Sequence, residues 1–192
     1  SERLPTEPVL ASIAALYSEF SSDPDSEGNL NILMRKYMWR AFFTERYDRS
    51  TASRVLADYK KLKEHLNGQA KEEDVPCLNE EVTELPNLEM IKEAGWPRKK
   101  DRLARAILLL SLRGGATDFA TENEVSIDDI KTREYHHLYP DAYLKSKGWD
   151  EKLIYRALNC ALIYWKSNRV ISDSEPVKYL LERSEASSMG TD

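Results

Sequence analysis

The sequence predicts a mainly α protein with a small β element. Three observations lead there. Apolar residues recur at helical spacing through the first half. The texture changes near Thr132 into a short strand-like run. A second short apolar run, Ala161-Leu162-Ile163-Tyr164-Trp165, follows between polar residues. The chain has 192 residues, 41% hydrophobic and 32% charged, which suits one sizeable globular domain or two small ones.

The first predicted helix runs from Pro8 to Phe20, with Leu10, Ile13, Leu16, Tyr17 and Phe20 on one stripe. Ser21 to Gly28 is rich in breakers and reads as a loop. Asn29 then caps a second helix that buries Leu30, Leu33, Met34, Tyr37 and Phe42. Asp48 or Ser50 caps a third, through Val55, Leu56, Tyr59 and Leu62, which Asn67-Gly68 stops. Residues 68–97 form an acidic connector with Pro76, Pro86 and Pro97 and a short helix near Leu88 to Ala94. Arg102 to Leu112 is a buried helix ended by Gly114-Gly115. Thr132 to Tyr139 reads as a strand that Pro140 ends, followed by a loop or short helix to Lys147. Asp150 to Leu158 reads as helix, Asn159 to Trp165 as strand, and Lys166 to Ile171 as a short helix. Pro176 opens a last helix, and the tail from Ser184 is small and polar. The expected organisation is a helical portion (1–115), a mixed portion (116–183) and a tail (184–192), as one compact unit or two domains.

Several classes are excluded by composition. No apolar run approaches the ~20 residues of a membrane helix. Cys77 and Cys160 are too few for a disulfide framework or a zinc cluster, which points to reduced thiols in the cytoplasm. No signal peptide is evident, and an opening at Ser1-Glu2-Arg3 without an initiator Met reads as a processed protein or an excised domain. The net charge of −5 argues against a protein that coats nucleic acid. The charge is uneven, however. Lys145, Lys147, Lys152, Arg156, Lys166 and Arg169 face only Asp150 and Glu151 in their segment, a locally positive stretch that can attract phosphates.

Chemistry concentrates in Glu134-Tyr135-His136-His137-Leu138-Tyr139-Pro140, with Asn159 and Asn168 following. Phosphodiester hydrolysis needs a base to deprotonate water, neutralisation of the charge that builds on phosphorus, and stabilisation of the departing 3′ oxygen. A histidine near neutral pKa suits the first task and a divalent cation the other two. Adjacent strand residues point to opposite faces, so one site using both histidines calls for a distorted strand end, which Pro140 could supply.

The order and spacing of these residues resemble an HNH (ββα-metal) nuclease site. With the flanking residues Ser172-Asp173, Pro176 and Tyr179-Leu180, and upstream Phe42 to Tyr47, Asp58-Tyr59, Ala106 to Gly115 and Asp118-Phe119, the chain is similar to the C-terminal nuclease half of GmrSD-like and SspE-like bacterial restriction proteins, the latter from phosphorothioate-based defence. The likeness covers roughly the whole chain loosely and is specific around the two histidines and two asparagines. It implies a helical N-terminal portion packed on a ββα-metal motif. It also implies a DNA nickase acting in antiviral defence, with Mg²⁺ or Mn²⁺ as cofactor. His137 would be the base, His136 and Asn168 the metal ligands, and Asn159 the residue that orients the backbone around His137. Which histidine serves as ligand and which as base stays open. The family's N-terminal nucleotide-hydrolysing domain is an expected partner that these residues do not include.

Lys166 and Arg169 flank Asn168 and are candidates to hold phosphate; a solvated helix face is the plain alternative. Arg98-Lys99-Lys100 is a second candidate, because positive charge at a helix start opposes the dipole and phosphate binding would offset that cost. His65 and the stripe Tyr37, Trp39, Phe42, Phe43 and Tyr47 read as structural. Two rivals to the nuclease reading remain: a non-catalytic interaction module on a degenerate scaffold, and an RNase.

Overall fold

The computed structural model describes residues 4–20, 23–98, 101–118, 123–125, 132–171, 175, 177–178 and 181. It is mainly helical with one two-stranded antiparallel sheet. Contacts group the chain into two compact units, Ser1–Glu89 and Met90–Asp192. Among the described residues, no helix is long and apolar enough to cross a membrane.

In the first unit α1 (Pro8–Phe20) packs on α2 (Pro24–Phe43) and α3 (Thr51–Leu66). The core is built from Val9, Leu16, Leu30, Tyr37, Leu62 and Val75, all fully buried. α2 starts earlier than Asn29. Asp23 caps it, accepting from the backbone N–H groups of Asp25 (3.1 Å) and Ser26 (3.0 Å), with Pro24 in the first turn. Gly28 therefore lies inside the helix. Its cost of about 1 kcal/mol relative to alanine is outweighed by the cap and the stripe that follows. On α1 the buried face is Val9, Ser12 and Leu16, rotated from the predicted stripe so that Leu10 is exposed. α3 follows Ser50, which takes a left-handed conformation and makes no side-chain cap bond.

The inner face of α3 carries an acid. Asp58 is fully buried and receives the Arg46 guanidinium through two bonds, Nε to Oδ2 (2.5 Å) and Nη2 to Oδ1 (2.8 Å). The Tyr47 hydroxyl donates to the same carboxylate at 2.6 Å. Arg46 and Tyr47 come from the 3₁₀ turn Glu45–Tyr47 that links α2 to α3. Burial pushes the nearby Cys77 thiol up to about 11. Native chain at pH 8 should therefore leave Cys77 unlabelled by iodoacetamide, being both covered and protonated, and label it only on unfolding in urea. Quantitative labelling of the folded chain at Cys77 would contradict this packing.

The second unit contains α5 (Arg102–Arg113), β1 (Arg133–His137), α6 (Asp141–Ser146), α7 (Glu151–Ile154), β2 (Cys160–Tyr164) and α8 (Trp165–Ile171). The short α4 (Leu88–Glu93) crosses the boundary between the units. α5 starts at a good cap: Asp101 accepts from the Ala104 N–H at 2.9 Å. That carboxylate offsets the cationic first turn, so the basic run there has a local explanation. The helix predicted over Asp150 to Leu158 is shorter. α7 ends at Tyr155, whose φ and ψ of −91° and 56° leave the helical region, and a 3₁₀ turn covers Ala157–Asn159. Most of the helix predicted after Pro176 lies outside the described residues.

β1 and β2 pair in regular register, from Arg133 opposite Tyr164 to His137 opposite Cys160. The open end of this hairpin is held by Asp118, fully buried, which accepts from Arg133 Nη1 and from the Tyr164 N–H, each at 2.6 Å. α8 begins one residue beyond Tyr164 and packs on both strands, so the clamp at Tyr164 also fixes where that helix starts.

Candidate functional site

Strand alternation sorts the hairpin residues. Glu134 and His136 share one face of β1, and α8 brings Asn168 to both. His136 Nδ1–H donates to Asn168 Oδ1 at 2.6 Å, and Asn168 Nδ2 donates to Glu134 Oε2 at 2.7 Å. The amide thus links a carboxylate to an imidazole that is 6% exposed. Burial lowers the His136 pKa, while its bond to Asn168 and the Asp118 charge oppose that shift.

His137 faces the other way. Its ring stacks on Trp96 (centroids 4.0 Å apart, 22° between planes) and meets the edge of Tyr155 (4.9 Å, 84°). Its Nε2 is covered and makes no hydrogen bond among the described residues. Burial lowers its pKa as well; the Asp141 carboxylate works against this, and His136 and Lys145 add to it. The ladder runs regularly through His137, so the strand end is not distorted and the two histidines occupy opposite faces.

Asn159 ties the chain that leaves β1 to the chain that enters β2. Its Oδ1 accepts from the Tyr139 N–H (2.8 Å), and its Nδ2 donates to the carbonyls of Tyr139 (3.2 Å) and Ile154 (3.0 Å). Its own carbonyl accepts from the Leu138 N–H at 2.9 Å. The two residues after His137 are therefore fixed by one asparagine, which satisfies backbone groups that no strand partner reaches.

The cationic candidates divide by location. Arg169 stacks its guanidinium over Trp165 (4.8 Å), and Lys166 lies over the same ring at 5.5 Å. Both are exposed on α8, beside Asn168. Arg98 is exposed and sits 5.8 Å from the Tyr155 ring centroid, as does Lys145 Nζ. Lys99 and Lys100 lie outside the described residues.

Among the described residues there is no cluster of three His, Cys, Asp or Glu side chains that could hold a metal ion. The donor set at His136 and Asn168 is of another kind: one imidazole nitrogen and one amide oxygen. These two atoms are hydrogen-bonded to each other at 2.6 Å, so Nδ1 would have to give up its proton before both could hold one ion.

Sequence reasoning missed three neighbours of the histidines, Trp96, Tyr155 and Asp141, and gave Glu134 no role of its own. Glu134 could have been found from period-2 alternation, since it stands two residues before His136. Trp96 and Tyr155 carry no local signal.

Comparison with known proteins adds little. No protein family matches the chain. The chain is 27% identical over 151 residues to the uncharacterized protein MJ0686 of Methanocaldococcus jannaschii, an alignment covering 78% of this chain and 25% of that protein. The chain therefore spans about a quarter of that relative's length. No solved structure matches.

Proposed function

We propose that this chain is a metal-dependent, HNH-type DNA endonuclease domain that nicks one strand, working in the cytoplasm as part of a restriction-type antiviral defence. The observation that carries the reading is the contact between His136 on β1 and Asn168 on α8, in a strand–strand–helix unit whose connecting chain Asn159 clamps beside His137.

In this reading the substrate strand passes around the end of β1, because His137 and the His136–Asn168 pair lie on opposite faces of that strand. His137 takes a proton from water through Nδ1, the nitrogen left once Nε2 is covered. The oxygen of that water bonds to phosphorus and the 3′ oxygen departs with the bonding pair. The lowered His137 pKa keeps the ring neutral, and so able to accept a proton, at neutral pH. His136 and Asn168 would hold Mg²⁺ or Mn²⁺. The ion supplies charge neutralisation at phosphorus and at the leaving oxygen. Glu134 orients the Asn168 amide. Lys166 and Arg169 contact flanking phosphates, stiffened by their stacking on Trp165, while Arg98 and Lys145 do the same on the His137 side. A single site cuts a single strand. The remainder of a longer protein, with a nucleotide-hydrolysing domain, would supply control and DNA selection.

The substrate class is tested by offering DNA and RNA of equal length and sequence with Mg²⁺ or Mn²⁺. The expected result is cleavage of DNA only, abolished by chelation. Cleavage of RNA alone would make the protein a ribonuclease. Cleavage of neither, even with the rest of a longer protein supplied, would favour an interaction module.

A further inference from the structure

We infer that Trp96 and Tyr155 are positioning residues for His137, holding its imidazole in one orientation by closing a face and an edge of the ring. This rests on the endonuclease reading for its catalytic consequence, though not for its geometry. Three rings pack mutually: Trp96 stacks on His137, Tyr155 meets His137 edge-on, and Tyr155 meets Trp96 edge-on at 5.6 Å and 76°. An imidazole at a strand end has a broad χ2 and would otherwise sample many orientations. A base must reach its proton within hydrogen-bond range, and a 1 Å misplacement can cost about 10²-fold in rate.

Both clamping rings are themselves anchored. The Tyr155 hydroxyl donates to Asp141 Oδ2 at 2.7 Å, and Lys145 Nζ donates to the same carboxylate at 2.9 Å. Asp141 opens α6 immediately after Pro140, so Tyr155 is fixed to the segment that leaves the histidine strand. Trp96 lies on a segment held at several points. The Ala94 carbonyl accepts from the Ala157 N–H at 2.9 Å, the Glu93 carbonyl accepts from Arg156, and the Gly95 N–H donates to Asp101 Oδ2 at 3.1 Å. A Cβ at Gly95 would stand 2.8 Å from that same Asp101 oxygen, so a side chain there would push the Asp101 carboxylate aside. Ala94, Ala104 and Ala157 form a small buried cluster under this segment. The structure thus spends a rigid, doubly tethered aromatic pair on one half-buried histidine. Simple core filling would not need the tethers.

The test uses the whole 192-residue chain and two readouts. The first is the NMR spectrum of the ring protons of His137, one of three histidines. In wild type, the Trp96 ring current should shift them well upfield. Trp96→Ala should return them to ordinary positions, and Trp96→Phe should keep much of the shift. The second is nicking of supercoiled plasmid with Mg²⁺. Trp96→Ala should lower kcat about 10- to 100-fold with KM little changed, and Trp96→Phe should recover most of the loss. Should Trp96→Ala not fold, Tyr155→Phe keeps the ring and removes the tether to Asp141. It should move the His137 signals and lower kcat several-fold. His137 signals unmoved in these variants, or a loss confined to KM, would overturn the positioning role. A wild type that shows the ring-current shift yet never cuts DNA would overturn the endonuclease reading and leave the clamp standing.

Discussion

Asp58→Ala should destabilise the N-terminal unit by about 3–5 kcal/mol, among the largest effects available to a single substitution in this chain. The carboxylate is fully buried and holds a guanidinium and a phenol at once. Removing it leaves Arg46 without its bidentate partner in a site where its side chain is only 11% exposed. The Tyr47 hydroxyl loses its acceptor in the same step, and each orphaned group carries its own desolvation cost. Asp58→Asn, which keeps the shape and one acceptor, should lose less. Domains of this kind have total stabilities of about 5–15 kcal/mol, so the alanine variant should be close to unfolding. Cys77, the only cysteine of this unit, reports the change: its labelling under native conditions should accelerate by about 10²–10³-fold or more, following the population of the open state. A urea midpoint equal to wild type would show that the network adds nothing net.

His137→Ala should lower the nicking rate by about 10²–10⁴-fold, the usual contribution of a positioned general base. The fold should survive. The ring is only half-buried, its Nε2 makes no hydrogen bond among the described residues, and the strand ladder at that position is made by backbone groups. Truncation removes the stack on Trp96, a packing loss of about 1 kcal/mol, which the unit can absorb. His136→Ala differs in kind. It breaks a buried bond to Asn168, and it should lower metal affinity as well as rate, so extra Mg²⁺ or Mn²⁺ should recover part of its activity. His137→Ala should not respond to added metal. The two variants thereby settle which histidine is the base.

The parts of the fold legible in the sequence were those set by local pattern. α5 followed from its apolar run and glycine stop, and the two strands from their short apolar or alternating runs beside Pro140 and Asn159. The tie between Asn159 and the chain after His137 was expected from the resemblance alone, since its partner Tyr139 lies 20 residues away in sequence. Other features depended on forces the pattern does not display. Gly28 read as a breaker, although Asp23-Pro24 already carried the signature of a helix start. Asp58 and Asp118 lie in the interior, where acids are rare without partners, and those partners are 12 and 15 residues away in sequence. Trp96 reaches His137 across 41 positions, counting 137 minus 96, and no periodicity could announce it. The separation of the two histidines onto opposite faces was legible from strand alternation, and the regular ladder keeps it without distortion.

The most direct measurement is conversion of supercoiled plasmid to open circles by the 192-residue chain with Mg²⁺ or Mn²⁺, wild type beside folded His137→Ala. The account predicts metal-dependent nicking by wild type and a residual rate at least about 10²-fold lower for the variant. Equal nicking by both proteins would contradict it, because the chemistry would then not run through His137.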